Sequence, residues 1–332
     1  MSDRVPRLRD VLDAQRAIAP YLDPTPLRRY PALDGMVGVE LFVKHENHQP
    51  TGAFKVRGGI NLVARLGSEQ RAAGVYAAST GNHGQSVAYA ASLFGVSATI
   101  FVPRGANPVK VSSMRSLGAT VIEYGVDFDE ARERCGEVAR AHRARYIHSG
   151  NEPLLIAGVA TATLELLERE PSIDVIVVPV GGGSGAAGAC IVAKAIDPRI
   201  GVIGVQSEAA PAAYRAWRER RPVADVMHTF AEGLQTRVSF ELPQRILAEH
   251  LDDFVLVADD EIRAATLHLI ELTRNLVEPA GAAPLAAVLK LGERLAGQRV
   301  ALVCSGGNIS PAQLQELLEW GRVRRSAKNP RG

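Results

Sequence analysis

Short apolar runs, rich in β-branched residues, recur along the chain and are separated by longer stretches rich in Ala, Leu and charged residues. Most of these runs do not alternate with polar residues, which is typical of strands buried on both faces of a parallel sheet. The pattern predicts eight strands, at residues 41–44, 75–78, 98–102, 120–124, 175–180, 202–206, 254–257 and 300–304.

Segments long enough to be helices lie between the strands, the clearest being residues 84–94, 109–117, 128–143, 157–169 and 260–275. Asp260, with Asp259 before it, is expected to cap the last of these helices. Regular alternation of strands and helices is typical of a doubly wound α/β architecture. No long linker interrupts the alternation, so the pattern alone does not place a domain boundary.

Composition narrows the class of protein. The chain has 332 residues, enough for one or two closely joined units. Its 38 basic and 36 acidic residues nearly balance, so neither nucleic acid nor a membrane surface is indicated as a partner. The three cysteines are far apart and odd in number, so neither a disulfide framework nor a zinc site is predicted. With no signal peptide or membrane-length apolar run evident, we expect a cytoplasmic protein.

A glycine-rich turn at residues 181–188 follows a predicted strand and precedes a helix. Free backbone amides and the helix dipole make such a turn an anion site, so it predicts phosphate binding. Gly183, Gly185 and Gly188 also have the spacing G-x-G-x-x-G, and Glu208 follows the next strand, as in dinucleotide-binding proteins. An NAD(P)-dependent oxidoreductase is therefore an open alternative at this point.

Two further polar turns follow predicted strands. Residues 79–85 read Ser-Thr-Gly-Asn-His-Gly-Gln and precede a helix, an arrangement that suits a small carboxylate. Residues 304–308 read Cys-Ser-Gly-Gly-Asn after the last strand. Because the carboxyl ends of parallel strands line the ligand crevice, the three turns could surround one phosphorylated ligand.

Lys55 follows a turn and the aromatic Phe54, with Arg57 as its only charged neighbour in sequence. A lysine beside an apolar wall has a depressed pKa and can act as a nucleophile or base. The surroundings of Lys55 alone are only a weak signal, since most lysines are surface charges.

Taken together, these segments resemble the fold-type II pyridoxal-phosphate (PLP) enzymes, in the branch of the threonine/serine dehydratases and serine racemase. The resemblance is carried by residues 44–58, 79–85, 181–185, 278–282 and 305–308, in the family's order. It implies a tryptophan-synthase-β-like fold, with two doubly wound open-sheet α/β domains and the cofactor in the cleft between them. The implied large domain is 1–55 with 151–321, the small mobile domain is 56–150, and the basic tail 322–332 is expected to be disordered. A dinucleotide enzyme becomes the weaker alternative.

The resemblance also implies roles for individual residues. Lys55 would carry PLP and later take the α-proton of the substrate. Phe54 would lie near the cofactor ring, Asn82 near its 3′-oxygen and Ser305 near its pyridine nitrogen. The phosphate would be held by Gly181, Gly182, Gly183, Ser184 and Gly185. The substrate carboxylate would be held by Ser79, Thr80, Asn82 and His83.

The implied activity is elimination of water from a β-hydroxy amino acid, giving a 2-oxo acid and ammonia. A neutral hydroxyl at Ser305 makes the cofactor a weaker electron sink than an aspartate would, and this favours elimination over transamination. The alternative is an amino-acid racemase, for which Thr80 would be the acid/base on the opposite face, where racemases carry a serine. A homodimer is the family's default.

Two departures from the family pattern concern residues that could bind a metal or the substrate. Gln206 stands where the racemase branch has a metal-binding carboxylate, and Glu208 alone would be a poor cation site, so no metal is expected. His45 and His48 stand where leucines are common. They either tune the substrate site or serve as packing variants, and we favour packing.

Overall fold

The computed structural model describes residues 4–328, which form two sheets flanked by helices. The strands are β1 (Leu27–Arg29), β2 (Glu40–His45), β3 (Val75–Ala78), β4 (Ala98–Val102), β5 (Thr120–Glu123), β6 (Arg145–Tyr146), β7 (Val175–Pro179), β8 (Gly201–Ser207), β9 (Asp253–Val257) and β10 (Arg299–Cys304). All eight predicted strands are present, and each end lies within one residue of its prediction.

The helices are α1 (Leu8–Ile18), α2 (Pro31–Val37), α3 (Lys55–Val63), α4 (Ser68–Ala73), α5 (Asn82–Leu93), α6 (Pro108–Ser116), α7 (Phe128–Ala141), α8 (Pro153–Arg169), α9 (Ser184–Ile196), α10 (Ala212–Glu219), α11 (Glu241–His250), α12 (Asp259–Thr273), α13 (Pro279–Leu291) and α14 (Pro311–Lys328). The five predicted helices correspond to α5, α6, α7, α8 and α12. None of the described helices is long and apolar enough to cross a membrane.

The larger sheet has the strand order β1-β2-β10-β7-β8-β9, and its strands are parallel except for β1. Leu302 of β10 pairs with Val43 of β2 on one side and Val177 of β7 on the other, and all three side chains are fully buried. The last strand of the chain therefore lies in the middle of the sheet, which brings residues 304–308 to the same edge as the glycine turn after β7.

The smaller sheet has the order β5-β4-β3-β6 and is entirely parallel. Its strands all lie between residues 75 and 146, whereas those of the larger sheet lie before and after this stretch. Helices α3 and α8 pack together closely, since a Cβ added at Gly158 would come within 2.6 Å of the backbone oxygen of Arg57. The doubly wound architecture with two sheets is confirmed, and the domain limits at 55/56 and 150/151 stay predictions.

Two local expectations are corrected. Helix α12 begins at Asp259 rather than after Asp260, and the backbone amide of Ala258 donates to Glu261 at 2.7 Å. Asp259 instead accepts hydrogen bonds from the hydroxyls of Ser207 and Thr229, each at 2.7 Å.

The expected disordered tail is helical as far as residue 328, because α14 continues through it. Arg324 pairs with Asp260 at 2.6 Å and lies 4.8 Å above the ring of Trp320, which holds this turn of α14 against α12. Residues 329–332 and 1–3 lie outside the described part of the chain.

Candidate active site

A cavity of about 360 Å³ opens where the strand ends of the two sheets face each other. Every residue predicted for the site lines it: Phe54, Lys55, Ser79, Thr80, Asn82, His83, Gly181, Gly182, Gly183, Ser184, Gly185 and Ser305. The three polar turns, which are far apart in sequence, therefore meet at one cleft, as expected for the carboxyl ends of parallel strands.

Lys55 is the first residue of α3, and its amine lies inside the cleft. Nζ donates to the hydroxyl of Ser184 at 2.7 Å and to the carbonyl oxygen of Ser149 at 3.1 Å. Both partners are neutral, and burial lowers the pKa of Lys55 to about 8. A buried amine with a depressed pKa is a competent nucleophile for an aldehyde and a competent base.

The glycine turn holds its shape because side chains have no room in it. A Cβ added at Gly181 would collide with the carbonyl oxygen of Gly233, and one at Gly182 would collide with the ring of Phe240. Gly183 has φ +87°, a left-handed conformation that favours glycine. Helix α9 begins immediately afterwards, so its first backbone amides face the cleft and offer an anion site.

The second anion site is the N-terminus of α5, which begins at Asn82. The side chain of His83 has a different role from the one its sequence position suggests. Its Nε2 lies 3.1 Å from the carbonyl oxygen of Ile147 and must donate to it, so Nδ1 carries the lone pair. Burial, with a contribution from Lys55, lowers the pKa of His83 to about 3, so the ring is neutral and cannot donate from Nδ1. A carboxylate at this helix end would be held by backbone amides and small hydroxyls.

Ser305 and Phe54 are fixed by the backbone. The amide of Phe54 donates to the carbonyl oxygen of Ser305 at 3.0 Å, and Ala53 forms an isolated bridge with Gly306. The Ser305 side chain is buried, and the ring of Phe54 lies against Gly185, whose added Cβ would come within 3.2 Å of it. The turn that carries Lys55 is thereby joined to the turn after β10.

Two partners of Asn82 were not predicted as site residues: Glu278, which lines the cleft, and Asn308. Asn82 donates to Glu278 at 2.8 Å, and Asn308 donates both to Asn82 and to the carbonyl oxygen of Thr51, each at 2.8 Å. Burial raises the pKa of Glu278. Glu278 and Asn308 belong to the family-like segments, but their side-chain partners are up to 257 residues away, so only the structure shows what they contact.

An ion pair also crosses the cleft. Lys110 of α6 pairs with Glu232, whose other carboxylate oxygen accepts from Gln313 at 2.7 Å. Both charged residues line the cavity. The sequence suggests residues around Glu232 as part of the substrate pocket, but no motif marks Lys110 or the ion pair.

Apart from Thr80, the residues that depart from the family pattern lie outside the cavity. The amide oxygen of Gln206 accepts from the backbone amide of Tyr214 at 3.0 Å, and Glu208 pairs with Lys290 at 3.2 Å. His45 is fully buried, with Nε2 2.8 Å from the hydroxyl of Tyr30, and its ring stacks on that of the exposed His48. Neither histidine lines the cleft, which supports the packing interpretation.

Comparison with known proteins agrees with this geometry. The family model described as pyridoxal-phosphate dependent enzyme matches residues 18–306. The chain is 39% identical over 323 residues to an L-threonine ammonia-lyase of Thermotoga maritima, covering 97% of this chain and 80% of that protein. It is 35% identical over 316 residues to an L-threo-3-hydroxyaspartate ammonia-lyase of Saccharomyces cerevisiae, covering 95% and 97%.

A solved structure, serine racemase from Dictyostelium discoideum, superposes with a TM-score of 0.87 at 33% identity, covering 92% of this chain and 99% of that one. The family match replaces the dinucleotide alternative, and the phosphate-binding role of the glycine turn 181–185 stays a prediction. The relatives that are named for an activity in this branch are mainly ammonia-lyases and dehydratases. The chain therefore belongs to the fold-type II family of pyridoxal-phosphate-dependent enzymes, as a lyase.

Proposed function

We propose that this protein eliminates water from a β-hydroxy amino acid, threonine, serine or a bulkier analogue, and releases a 2-oxo acid and ammonia. The observation that carries the proposal is the position of Lys55. Its amine is buried, has only neutral partners and lies between two helix N-termini that are suited to two anions. A phosphorylated aldehyde and an amino-acid carboxylate are the two anions that this reaction requires.

The residues of the cleft fit PLP. Lys55 supplies the amine, the turn 181–185 with the N-terminus of α9 supplies the phosphate site, and Asn82 lies within the cleft to meet the 3′-oxygen. Ser305 would offer a hydroxyl to the pyridine nitrogen, and Phe54 would provide an aromatic face. When bound, the cofactor withdraws electrons from Cα of the amino acid, which acidifies the α-proton.

The protein's own groups position the substrate and move its protons. The backbone amides at 82–83 and the hydroxyls of Ser79 and Thr80 hold the substrate carboxylate. The amine of Lys55, when free, takes the α-proton as general base, since its pKa of about 8 lies near physiological pH. Loss of the β-hydroxyl with this proton leaves the product to hydrolyse to a 2-oxo acid and ammonia.

The proposal predicts a pH dependence for cofactor uptake. Only the neutral amine attacks an aldehyde, so the rate of PLP incorporation into the cofactor-free protein should rise with pH and level off above about pH 8, the pKa of Lys55. Stopped-flow measurement of visible absorbance between pH 6 and pH 10.5 would give the midpoint. A midpoint near 10.4, the value of a free lysine, would contradict the environment assigned to Lys55.

Racemisation is the competing outcome, because a serine racemase shares this fold and Thr80, the candidate acid/base for that reaction, lines the cleft. Incubation with L-threonine, L-serine and L-threo-phenylserine, with assays for 2-oxo acid, ammonia and the D-isomer, separates the two reactions. We expect 2-oxo acid and ammonia in equal amounts, formed faster than any D-isomer. Faster appearance of the D-isomer would overturn the choice of elimination.

A further inference from the structure

Four charged side chains are buried together behind α3: Lys44, Glu46, Arg57 and Glu165. We call them the Arg57 cluster. The side chains of Lys44, Glu46 and Arg57 are at most 1% exposed, and that of Glu165 is 11% exposed. Two cations and two anions make the cluster neutral, but none of its members lines the cleft.

Arg57 is the centre of this cluster because its guanidinium donates hydrogen bonds to both carboxylates. It donates to the two oxygens of Glu46 at 2.7 and 2.8 Å and to the two oxygens of Glu165 at 2.5 and 2.7 Å. Lys44 donates to Glu165 at 2.6 Å. Two bidentate contacts define the rotation and position of a guanidinium much more closely than a point charge could.

The carboxylates belong to different parts of the fold. Glu46 follows β2, and Glu165 lies in α8, so the double grip ties α3 to the larger sheet and to a neighbouring helix. Arg57 and Lys55 are two residues apart on α3, about 200° around the helix axis, and therefore face opposite sides. The cluster therefore holds α3 on the side away from the cleft, while Lys55 points into the cleft.

Stability alone is a weak reason for such a cluster. Burying charges costs desolvation free energy that their mutual attraction often does no more than offset, and apolar side chains of similar volume often stabilise as well. Ion pairs with fixed geometry also set the orientation of the elements that they join. Lys55 begins α3 at its N-terminus, where a helix is least constrained by its own hydrogen bonds.

We propose that Arg57 is a positioning residue, and that the Arg57 cluster fixes the first turn of α3 so that the Lys55 amine sits at the cofactor and substrate. This inference rests on the proposed role of Lys55. A contact of the backbone supports it: the carbonyl oxygen of Lys55 accepts from the hydroxyl of Ser86 at 2.6 Å, so helix α5 also holds this turn.

Three variants test the proposal in the full-length protein. Arg57→Lys keeps the charge and removes both bidentate contacts. Glu165→Gln keeps the shape at the partly solvated edge of the cluster and is the least disruptive of the three. The fourfold variant Lys44→Met, Glu46→Leu, Arg57→Met and Glu165→Leu removes every charge of the cluster together. Lys194→Met is the matched control, since it removes a partly buried lysine that pairs with Asp252 at 2.7 Å and makes no contact with the Arg57 cluster.

Two readouts are compared with thermal stability. The first is the pH midpoint for reaction of Lys55 with an amine reagent, trinitrobenzenesulfonate, in the cofactor-free protein. We expect this midpoint to rise by about one pH unit in Arg57→Lys and in the fourfold variant, because a displaced amine is better hydrated.

The second readout is turnover of the loaded enzyme. Its kcat should fall about 10- to 100-fold with KM nearly unchanged, the size of effect typical of misplaced reacting groups. Glu165→Gln should shift both in the same direction and less, and the control should shift neither.

A folded fourfold variant, or a folded Glu165→Gln if the other variants do not fold, with unchanged midpoint and kcat would overturn the proposal and leave the cluster a purely structural role. The result would be different if the proposed function itself were wrong. In that case the unchanged protein itself would show no visible absorbance with PLP, while the reagent would still report the state of Lys55.

Discussion

Replacing Lys55 with alanine should abolish the visible absorbance of the PLP-loaded protein and lower turnover by about 10⁴-fold, the upper end of the contribution of a positioned acid–base group. The substitution removes both the amine that holds the cofactor and the base that takes the α-proton. No other lysine can replace it, since Lys110 is the only other lysine among the described cavity-lining residues and its amine is committed to Glu232. Difference spectra and a 2-oxo acid assay measure the two losses.

The variant should stay folded. Burial disfavours the charged amine of Lys55, so at pH 7 the folded, cofactor-free protein loses free energy of unfolding by holding it. The alanine variant removes this cost and also the two hydrogen bonds to Ser184 and Ser149. Lys290→Ala is the control, because Lys290 is a surface lysine paired with Glu208 and Glu261. Visible absorbance that persists in Lys55→Ala, or disappears in Lys290→Ala, would contradict the assignment of the cofactor lysine.

The strands that the sequence predicts correctly are those with their own apolar signal. β1 and β6 were missed, and both depend on partners rather than on pattern. β1 reads Leu-Arg-Arg and is mostly exposed, and it exists because it pairs with β2 at the edge of the larger sheet. β6 has two residues, and it exists because it pairs with β3. Neither has enough buried apolar residues for periodicity to mark it.

Helix α3 could not be predicted for a different reason. It contains Gly58 and Gly59, which disfavour helices by about 1 kcal/mol each relative to alanine. The structure shows why glycine is needed there: an added Cβ at Gly58 would come within 2.8 Å of Leu155, and one at Gly59 would collide with Ser86. The close approach of α5 and α8 overrides local propensity, and this contact exists only in the folded protein.

The residues of the candidate site also divide into those that the sequence could predict and those that it could not. Residues at strand ends, such as the turns at 79–83 and 181–185, could be predicted because the carboxyl ends of parallel strands line ligand clefts. The two turns follow strands of different sheets, and it was the family resemblance that placed both around one cofactor. The direction of the His83 side chain, the contact of Glu278 with Asn82 and the ion pair of Lys110 with Glu232 could not. Each depends on a partner from a distant segment, and neither composition nor spacing along the chain encodes that partner.

Gly181→Ala should weaken PLP binding about 100-fold. Its Cβ would collide with the carbonyl oxygen of Gly233, and that peptide cannot retreat, because a Cβ added at Gly233 would come within 2.7 Å of Ala280. The turn before α9 must then shift and lose one or two of its amide contacts with the phosphate. Hydrogen bonds to a charged group contribute about 1.5–3 kcal/mol each, and about 1.4 kcal/mol corresponds to a tenfold change in affinity.

Titration of the cofactor-free variant with PLP, followed by visible absorbance, gives the affinity, and Gly35→Ala provides the matched control. Gly35 lies in α2, is exposed and has nothing within 4 Å of an added Cβ. Alanine at that position should leave PLP affinity unchanged and raise stability slightly, since alanine favours helices by up to about 1 kcal/mol over glycine. If Gly181→Ala bound PLP as tightly as the unchanged protein, the phosphate would have to lie elsewhere in the cleft. The N-terminus of α5, which also lines the cleft, would be the next candidate for the phosphate site, and the substrate carboxylate would then need a new site.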